Sequence, residues 1–502
     1  MYSTHALHRA LQQTPDLPMT VSGSRTRTVR ESFERISRLA GAFREIGVRP
    51  GDRVAILALN SDRYHEIFFA TWWCGAVVNP INIRWSPAEI TGALRDAQPS
   101  LLLADDSRLS LVTELTAGAL TGVYCGDGSP AHDMLGYEDL VANTKPVPDL
   151  RTGEDAPASL LYTGGTTGSA KGVLMTHRNL MTSAVSHETA QAGGVSLLTA
   201  PMFHIAALSC WLTQNYHGGT VVFLPSFEPG SVLAAIEKYR VTSVTLVPTM
   251  LGMLLDHPDL GSFDTSSLWA LGYGAAPMPA TLLERARRAL PGAGFVQGYG
   301  TTETAIVTAL TRKDHEVGGT RLRSAGRVAA HCEVRIATGD GSEAPRGEVG
   351  ELLVRGDGCM REYWRQPEQT AAVLRDGWLH TGDAAYMDDD GFVYIVDRLT
   401  DMIITGGENV YSSEVENALA THPAVAACAV IGLPDQRWGE RVHAVVVLAP
   451  GARATEAELR THAAASIARY KVPRAIDFVA AMPLSAAGKV LKSLLRDQLV
   501  RG

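Results

Sequence analysis

Residues 231–239 read SVLAAIEKY and are followed directly by residues 241–248, VTSVTLVP. The first stretch has the apolar spacing of an amphipathic helix, whereas the second is rich in the β-branched residues that favour a strand. The pattern continues with a predicted strand at 268–273, a helix at 280–290 and a strand at 295–297. Because strands that alternate with helices form parallel sheets covered by those helices, the sequence predicts an α/β fold.

The pattern changes near Glu348, where residues 347–356 and 391–398 are strand-like runs that favour hairpins. A smaller α+β pattern follows, with helices predicted at 413–420 and 456–467 and strands predicted at 425–431, 442–448 and 475–479. We therefore predict two domains, a large N-terminal domain of helix-covered β-sheets over residues 1–399 and a small C-terminal domain over residues 400–502.

Composition excludes several classes of protein. The chain has 502 residues, of which 45% are hydrophobic and 20% charged, as in ordinary globular proteins. Its net charge of -8 offers no basic excess for general nucleic-acid binding. The six cysteines contain no C-x-x-C pair, so neither a disulfide framework nor a cysteine zinc site is expected. The N-terminus lacks an apolar signal core, and the most apolar run, 67–78, is shorter than the ~20 residues that span a bilayer. We expect a cytoplasmic protein without a transmembrane segment.

A glycine-rich segment provides the strongest local signal. Residues 162–172, YTGGTTGSAKG, combine glycines, hydroxyl-bearing residues and Lys171 directly after a predicted strand. Glycine lets backbone N–H groups converge on phosphate oxygens, and the lysine adds positive charge. The segment is not a P-loop, because Thr166 and Gly172 occupy positions that require Gly and Ser or Thr. It predicts phosphate binding, with a flexible surface turn as the alternative.

Three other segments carry candidate polar groups. Residues 297–304, QGYGTTET, contain Glu303. Its carboxylate is suited to bind Mg²⁺ beside phosphate groups. Alternatively, Glu303 caps the start of a helix. In WLHTGD, Asp383 ends a predicted turn and can accept hydrogen bonds from ribose hydroxyls, with an ordinary turn aspartate as the alternative. In PLSAAGK, Lys489 considered alone is expected to be a solvated surface lysine.

Taken together with the segments DR at 397–398 and TGGEN at 405–409, these motifs resemble those of the acyl-adenylate-forming superfamily in order and spacing. Acyl-CoA synthetases, adenylation domains of peptide synthetases and firefly luciferase belong to this superfamily. The resemblance extends from Thr28 to the C-terminus and implies a large N-terminal domain with a small, mobile C-terminal lid. It also implies that a carboxylate reacts with Mg-ATP to give acyl-AMP and pyrophosphate. In the ligases, the lid then rotates and the CoA thiol attacks, which gives a thioester and AMP.

The resemblance also implies roles for individual residues. Thr302 and Glu303 match the position that contacts the α-phosphate and Mg²⁺, and Tyr299 matches the residue that stacks on adenine. Lys489 matches the lid lysine that bridges the carboxylate and α-phosphate oxygens. The residues implied to contact ATP or AMP are Thr163, Gly165, Thr166, Thr167, Gly168, Lys171, Gly274, Ala275, Ala276, Tyr299, Asp383 and Arg398.

The second half-reaction has its own implied residues. Gly406 and Gly407 resemble the glycine pair that lines the pantetheine tunnel, and Trp438 lies where CoA ligases contact the cofactor. Thr400 matches the hinge position, which usually holds Lys or Asp. The residues implied to contact CoA are Arg84, Gly406, Gly407, Trp438, Tyr470, Lys471 and Arg474.

The acyl pocket is predicted from small and apolar residues. His204 resembles a residue that gates this pocket, although a lone histidine is more often a core residue. The other pocket residues implied are Ile205, Val247, Thr249, Tyr273 and Gly298. No charge is present to pair with a second carboxylate or an ammonium group, and burying either unpaired is costly. The pocket therefore predicts an apolar monocarboxylic acid, either a fatty acid or an aryl or cinnamate-type acid.

The sequence departs from the usual pattern at several positions and leaves the acceptor open. Gly164 and Ala170 replace a serine and a proline of the phosphate loop, and Ser412 stands where proline is common. Three functions remain open: an acyl-CoA ligase, a stand-alone enzyme that loads a carrier protein, and a non-catalytic nucleotide-binding module. A luciferase-like oxidase is a minor alternative. A homodimer is common among proteins of this superfamily.

Overall fold

The computed structural model describes residues 1–116, 120–130, 134–163, 170–186, 189–484 and 490–501. The chain divides into two compact units. The first unit comprises Met1–Glu333 and Val354–Leu379, and the second comprises Val334–Leu353 and His380–Gly502. The predicted domain boundary between residues 399 and 400 stays a prediction.

The β-strands have the following bounds in chain order. The first fourteen are β1 (Pro18–Ser22), β2 (Arg25–Thr28), β3 (Arg53–Leu57), β4 (Val77–Pro80), β5 (Leu101–Ala104), β6 (Thr121–Tyr124), β7 (Leu135–Gly136), β8 (Pro157–Thr163), β9 (Lys171–Thr176), β10 (Val195–Leu198), β11 (Thr220–Phe223), β12 (Ser243–Leu246), β13 (Ala270–Gly274) and β14 (Gly294–Thr301). They are followed by β15 (Ala305–Leu310), β16 (Arg327–Val328), β17 (Cys332–Ala337), β18 (Gly350–Gly356), β19 (Glu362–Tyr363), β20 (Leu374–Arg375), β21 (Trp378–Met387), β22 (Val393–Arg398), β23 (Ile403–Thr405), β24 (Glu408–Val410), β25 (Val425–Asp435), β26 (Gly439–Leu448) and β27 (Ala475–Phe478).

The α-helices lie between these strands. They are α1 (His5–Gln13), α2 (Val29–Ile46), α3 (Asp62–Trp73), α4 (Pro87–Ala97), α5 (Leu109–Thr116), α6 (Tyr137–Asn143), α7 (His177–Val185), α8 (Ile205–Tyr216), α9 (Pro229–Tyr239), α10 (Pro248–Leu255), α11 (Ala280–Ala289), α12 (Arg312–Val317), α13 (Pro367–Val373), α14 (Ser412–Ala420), α15 (Glu456–Ala464) and α16 (Lys492–Arg501). No helix within the described ranges has the length and apolar character needed to cross a membrane.

Two large sheets form the framework of the first unit. Within the described residues one sheet has nine strands, in the order β16-β15-β14-β13-β12-β10-β11-β1-β2. The other has eight strands, in the order β19-β9-β8-β4-β3-β5-β6-β7. The central pairs of both sheets are parallel, as between β12 and β13 and between β3 and β5. The predicted α/β fold with helix-covered sheets is therefore confirmed.

The apolar run at 67–78 covers the second half of α3 and the first residues of β4, all of them buried in the first unit. Every residue of α3 is buried, and the side chains of Phe68, Phe69 and Trp72 pack against Trp211 of α8. Offset and edge-to-face ring contacts of this kind add to the free energy gained by burying their area. This run is therefore part of the core of a globular unit, which explains its high hydrophobicity.

The second unit is built mainly around a smaller sheet. Its order is β24-β23-β26-β25 with β27 paired to β26, and α14, α15 and α16 accompany it. The helix α15 begins with a capping box in which Thr455 and Glu458 satisfy each other's backbone N–H groups. A separate five-stranded sheet has the order β17-β18-β21-β20, with β22 paired to β21.

The sequence pattern predicted most elements of residues 231–297 but misplaced some of their ends. The helix predicted at 231–239 is α9, and the strand predicted at 268–273 is β13. The strand predicted at 241–248 is shorter, because Pro248 starts α10. Proline suits the first turn of a helix and cannot donate a hydrogen bond to a neighbouring strand.

A group of buried charges joins α2, α3 and α6. The Glu66 carboxylate is 1% exposed. It accepts a hydrogen bond of 2.7 Å from Arg35 Nε and one of 2.6 Å from the hydroxyl of Tyr137. Burial raises the pKa of Glu66, while the Arg35 guanidinium opposes this shift. Such a carboxylate stabilises the fold only while its partners remain in place, because a buried charge without a partner is costly.

Replacing Glu66 therefore tests the importance of this network. We expect Glu66→Ala to lower the free energy of unfolding by about 3 kcal/mol, because Arg35 and Tyr137 lose a buried partner. The matched control is Glu34→Ala in α2, next to Arg35. Glu34 forms a largely exposed ion pair with Arg38. That change is expected to cost less than about 0.5 kcal/mol. Urea denaturation followed by tryptophan fluorescence measures both values, and equal losses would contradict the expectation.

Candidate active site

The predicted adenine and acyl residues of the first unit lie at one edge of its nine-stranded sheet. The strands β10, β12, β13 and β14 are parallel neighbours, so their carboxyl ends point to the same edge. Ligands of α/β proteins bind at this edge. The predicted residues that lie in these strands or in the segments that follow them are His204, Ile205, Val247, Thr249, Tyr273, Gly274, Ala275, Ala276, Gly298, Tyr299, Thr302 and Glu303.

Two glycines allow the last residues of β13 and β14 to approach closely. Gly274 pairs with Gly298, and a Cβ atom on Gly274 would lie 2.3 Å from the carbonyl oxygen of Gly298. The next residue, Ala275, has a φ of 64°, a left-handed conformation that is uncommon for a residue with a side chain. The backbone of this segment is therefore constrained where the resemblance implies contact with adenine.

Glu303 lies in the tight turn between β14 and β15. The turn is closed by the pair Thr301 and Ala305 and by a hydrogen bond of 3.0 Å from the Thr301 N–H to Thr304 Oγ1. The chain continues as a strand after the turn, so the capping alternative for Glu303 is wrong. Residues 297–301 belong to β14 itself, and the loop predicted here is shorter than the glycines suggested.

Lys171 is the first residue of β9, opposite Thr163 at the end of β8. Its Nζ atom lies 4.9 Å from the centre of the Tyr363 ring, a cation–π contact. The hydroxyl of Tyr363 donates a hydrogen bond of 2.8 Å to Glu303 Oε1. One tyrosine therefore contacts the predicted phosphate-binding lysine and the predicted magnesium-binding carboxylate. Gly165, Thr166, Thr167 and Gly168 lie outside the described residues, so their phosphate contacts stay predictions.

Sequence reasoning did not identify Tyr363. It belongs to the short strand β19, in a segment that contains no glycine-rich or acidic motif. Its contact with Glu303 joins residues 60 positions apart, so no local spacing signals it. The pairing of β19 with β9 places this side chain near Lys171, the first residue of β9.

The acyl-pocket candidates differ in exposure. Tyr273 is 2% exposed, and its hydroxyl lies 2.8 Å from Nε2 of His315. Burial raises the pKa of Tyr273 and lowers that of His315, which favours the neutral form of both groups. His204 precedes α8 and its ring contacts Phe203, whereas Thr249 is exposed in the first turn of α10. Their roles in binding an acyl group stay predictions.

In the second unit, the two predicted ribose-binding residues are neighbours. Asp383 and Arg398 lie opposite each other on the antiparallel strands β21 and β22, and their side chains form an ion pair of 2.6 Å. Asp383 is buried within β21, so the expectation that it ends a turn is wrong. The sequence TGD suggested a turn, but pairing with β22 extends the strand through it. An aspartate held in this way can accept hydrogen bonds in a fixed direction.

A polar cluster beside this strand was not anticipated. The Asp397 carboxylate accepts a hydrogen bond of 2.6 Å from the Ser412 hydroxyl at the start of α14. Lys492 of α16 donates to the same hydroxyl and forms an ion pair of 2.7 Å with Glu416. Although burial works against it, the pKa of Lys492 is raised, because Glu416 and Asp397 stabilise its charge. Ser412, where proline is common, thus connects three segments of the second unit.

Several predicted CoA residues of the second unit also contact one another. Gly406 and Gly407 have φ values of 62° and 85° and form the tight turn between β23 and β24. A Cβ atom on Gly406 would lie 2.8 Å from the indole ring of Trp438, which explains the glycine there. The guanidinium groups of Arg437 and Arg474 lie 4.8 and 4.7 Å from the centre of that indole ring. Arg437 is a further cationic residue that sequence reasoning missed.

The remaining candidates have different surroundings. Lys471 forms an ion pair of 2.7 Å with Glu414, and the adjacent Tyr470 is exposed. Arg84 is exposed in the first unit. Thr400, the predicted hinge residue, is exposed and follows β22 after Leu399. Lys489 lies outside the described residues, so its role as the lid lysine stays a prediction.

The carboxylate of Glu303 fits a magnesium ion that accompanies a nucleotide. Within the described ranges, no group of three or more His, Cys, Asp or Glu side chains forms an enclosed metal site. Nucleotide-bound Mg²⁺ does not need one, because one or two carboxylates, water and phosphate oxygens complete its shell. Tyr363 holds one carboxylate oxygen of Glu303, and in the described part of the chain the other oxygen has no hydrogen-bond partner.

The chain matches family models over most of its length. Residues 7–364 match the AMP-binding enzyme model, and residues 414–489 match the AMP-binding enzyme C-terminal domain model. The chain therefore belongs to the AMP-binding enzyme family, and the resemblance to the acyl-adenylate-forming superfamily is confirmed.

Similar proteins share nearly the full length of the chain. It is 42% identical over 492 residues to a feruloyl-CoA synthase of Amycolatopsis sp, with 97% of each chain covered. It is 37% identical to the fatty acid–[acyl-carrier-protein] ligase ScoC of Streptomyces coeruleorubidus, with 99% of this chain and 95% of that protein covered. The amide bond synthetase McbA from Marinactinospora thermotolerans has a TM-score of 0.89 at 32% identity, with 99% of both chains covered.

The close approach of β13 and β14 leads to a testable prediction. We expect Gly274→Ala to force these strands apart, to cost about 1–3 kcal/mol of stability and to weaken ATP binding several-fold. Gly92→Ala in α4 is the control, because that glycine is exposed and a Cβ atom there meets nothing within 4 Å. Isothermal titration calorimetry and thermal unfolding measure the two effects. Unchanged ATP affinity in Gly274→Ala would contradict this role of the glycine.

Proposed function

We propose that this protein is an AMP-forming acyl-CoA synthetase that acts on an apolar monocarboxylic acid. The observation that carries the proposal is the contact of Tyr363 with both Lys171 and Glu303, beside the carboxyl edge of a parallel sheet. A cation and a carboxylate held near one another suit Mg-ATP, whose phosphates need positive charge and whose metal needs an anionic ligand. Membership of the AMP-binding enzyme family supports the same conclusion.

In the first half-reaction, an oxygen of the substrate carboxylate attacks the α-phosphorus of ATP. The bond between the α-phosphorus and the oxygen that bridges to the β-phosphate breaks, and pyrophosphate leaves. Lys171 stabilises phosphate charge, and Lys489 is proposed to lie between the two anions that must approach each other. Such contacts act most strongly in the transition state, where the two anions are closest. Mg²⁺, when bound, supplies further positive charge to the phosphate oxygens, and Glu303 is the residue that would hold it.

An apolar acid fits the residues proposed for the acyl pocket. Ile205, Val247 and Gly298 carry no charge, and the hydroxyl of Tyr273 is already paired with His315. A second carboxylate on the substrate would therefore be buried without a cationic partner, at a cost of several kcal/mol. The relatives named for ferulate and for fatty acids support an aryl or aliphatic acid alike.

CoA is the acceptor that the charges of the second unit favour. Arg437 and Arg474 both contact the ring of Trp438, next to the turn formed by Gly406 and Gly407. Two guanidinium groups beside an aromatic ring suit a nucleotide that carries phosphate groups. Loading of a carrier protein remains the second candidate, because the relative ScoC is named for such a reaction. We further propose that the protein is cytoplasmic, where ATP and CoA are available. We also propose a lid that turns about Thr400. From the resemblance alone, we propose a homodimer.

A panel of acids tests the proposed function. Pyrophosphate release is measured with Mg-ATP and C6 to C18 fatty acids, benzoates, cinnamates or malonate, each with and without CoA, and mass spectrometry identifies the product. We expect pyrophosphate and a CoA thioester with an apolar acid and neither product with malonate. Pyrophosphate without a thioester would favour carrier loading. Failure of every acid, together with ATP binding by calorimetry, would favour a non-catalytic nucleotide-binding module.

The proposed lid lysine predicts different effects on the two half-reactions. We expect Lys489→Ala to slow adenylation by about 10²–10³-fold, because a charge shared by two anions is lost. Thioester formation from supplied acyl-AMP should remain close to the wild-type rate. The control is Lys313→Ala, which removes an exposed lysine of α12. Stopped-flow assays of each half-reaction measure the rates, and equal loss in both would contradict this role of Lys489.

A further inference from the structure

Tyr363 lies between two groups of opposite charge in the proposed nucleotide site. Its hydroxyl donates to Glu303 Oε1 at 2.8 Å, and the Lys171 ammonium lies 4.9 Å from the centre of its ring. Among the ion pairs of the described residues, none joins Lys171 to Glu303. The tyrosine thus contacts each charged group while the two do not pair with each other.

The surrounding backbone holds Tyr363 firmly. The residue is 6% exposed and pairs with Val173 of β9, the strand that begins at Lys171. Its N–H group donates a hydrogen bond of 3.0 Å to Thr370 Oγ1. Three residues earlier, the Met360 N–H donates a hydrogen bond of 2.6 Å to the carbonyl oxygen of Glu303. The segment from 360 to 363 is therefore attached to both hairpins that carry the charged groups.

This arrangement has consequences for binding Mg-ATP. The Glu303 side chain extends from a turn, where a carboxylate without a hydrogen bond would rotate freely. A direct ion pair between Lys171 and Glu303 would neutralise both groups and reduce the attraction of each for its ligand. The ring of Tyr363 provides Lys171 with a weaker cation–π partner, which a phosphate group can outcompete.

We propose that Tyr363 is a positioning residue for the adenylation half-reaction. Its hydroxyl holds the Glu303 carboxylate in the orientation that receives Mg²⁺, and its ring keeps Lys171 available for phosphate. The inference rests on the proposed function, because it assigns Mg-ATP to these residues. It adds a residue outside the glycine-rich and acidic motifs. It also gives a reason for the contacts that connect the hairpin β8–β9, which carries Lys171, with the hairpin β14–β15, which carries Glu303.

Two substitutions separate the roles of the hydroxyl and the ring. Tyr363→Phe removes the hydroxyl that donates to Glu303 and keeps the ring. We expect the Mg²⁺ concentration for half-maximal pyrophosphate release to rise about ten-fold. ATP affinity without Mg²⁺ should remain unchanged in this variant, because the ring is retained. Tyr363→Leu also removes the ring, and ATP affinity should then fall several-fold both with and without Mg²⁺.

Binding measurements provide a readout that does not depend on turnover. Isothermal titration calorimetry with ATP, with and without Mg²⁺, gives the gain in affinity due to the metal for each variant, and thermal unfolding reports stability. The control is Tyr124→Phe in β6 of the same unit. This change removes a similar hydrogen bond, which the Tyr124 hydroxyl donates to Asp106 Oδ1 at 2.6 Å. This control should retain the wild-type dependence on Mg²⁺.

The outcomes distinguish this inference from the proposed function. Wild-type protein that neither binds ATP nor releases pyrophosphate would overturn the proposed function, and the inference with it. Active wild-type protein with a Tyr363→Phe variant of unchanged Mg²⁺ dependence would overturn the inference alone. A Tyr363→Phe variant that loses affinity for ATP equally with and without Mg²⁺, together with a lower melting temperature, would also overturn it. A selective loss of the Mg²⁺-dependent gain at an unchanged melting temperature would support it.

Discussion

The proposed nucleotide site depends on the close approach of β13 and β14 at Gly274 and Gly298. A single Cβ atom on Gly274 would lie 2.3 Å from the carbonyl oxygen of Gly298, so these strands can pair to their ends only without a side chain there. The pairing continues as β14 turns back into β15, and that turn carries Glu303. The backbone contact therefore determines where the proposed magnesium-binding carboxylate lies relative to the residues proposed to contact adenine.

A second constraint connects this edge with β9, the strand that begins at Lys171. The Met360 backbone contacts the Glu303 carbonyl group, and Tyr363 pairs with β9. These contacts join two hairpins from different sheets of the first unit, so Lys171 and Glu303 are positioned by one short segment. Charged groups that bind a polyanion and its metal are effective when they are held in place before the ligand arrives, because no reorganisation is then needed.

The second unit is organised by its own charged and aromatic contacts. Asp397, Ser412, Lys492 and Glu416 join the end of β22 to α14 and α16. Buried charges of this kind are stable only as a complete set, because each partner compensates the desolvation of the others. Trp438, which contacts the guanidinium groups of Arg437 and Arg474, lies against the glycine turn on the same unit. The polar cluster thus gives a hydrogen-bonding role to Ser412, which stands where the usual motif has proline.

From the sequence alone, the fold class, the family and the approximate position of most elements in residues 231–297 could be predicted. Helical and strand periods, glycine pairs and the order of motifs can be read directly along the chain, so they do not depend on which distant segments pack together. Tertiary structure alone decided that Asp383 lies inside a strand, that Glu303 lies in a hairpin turn, and that Tyr363 contacts it from 60 residues away. The reason is physical: whether a short polar segment forms a turn or extends a strand depends on the neighbour available for its backbone hydrogen bonds. That neighbour comes from another part of the chain, and so do the partners of a buried charge.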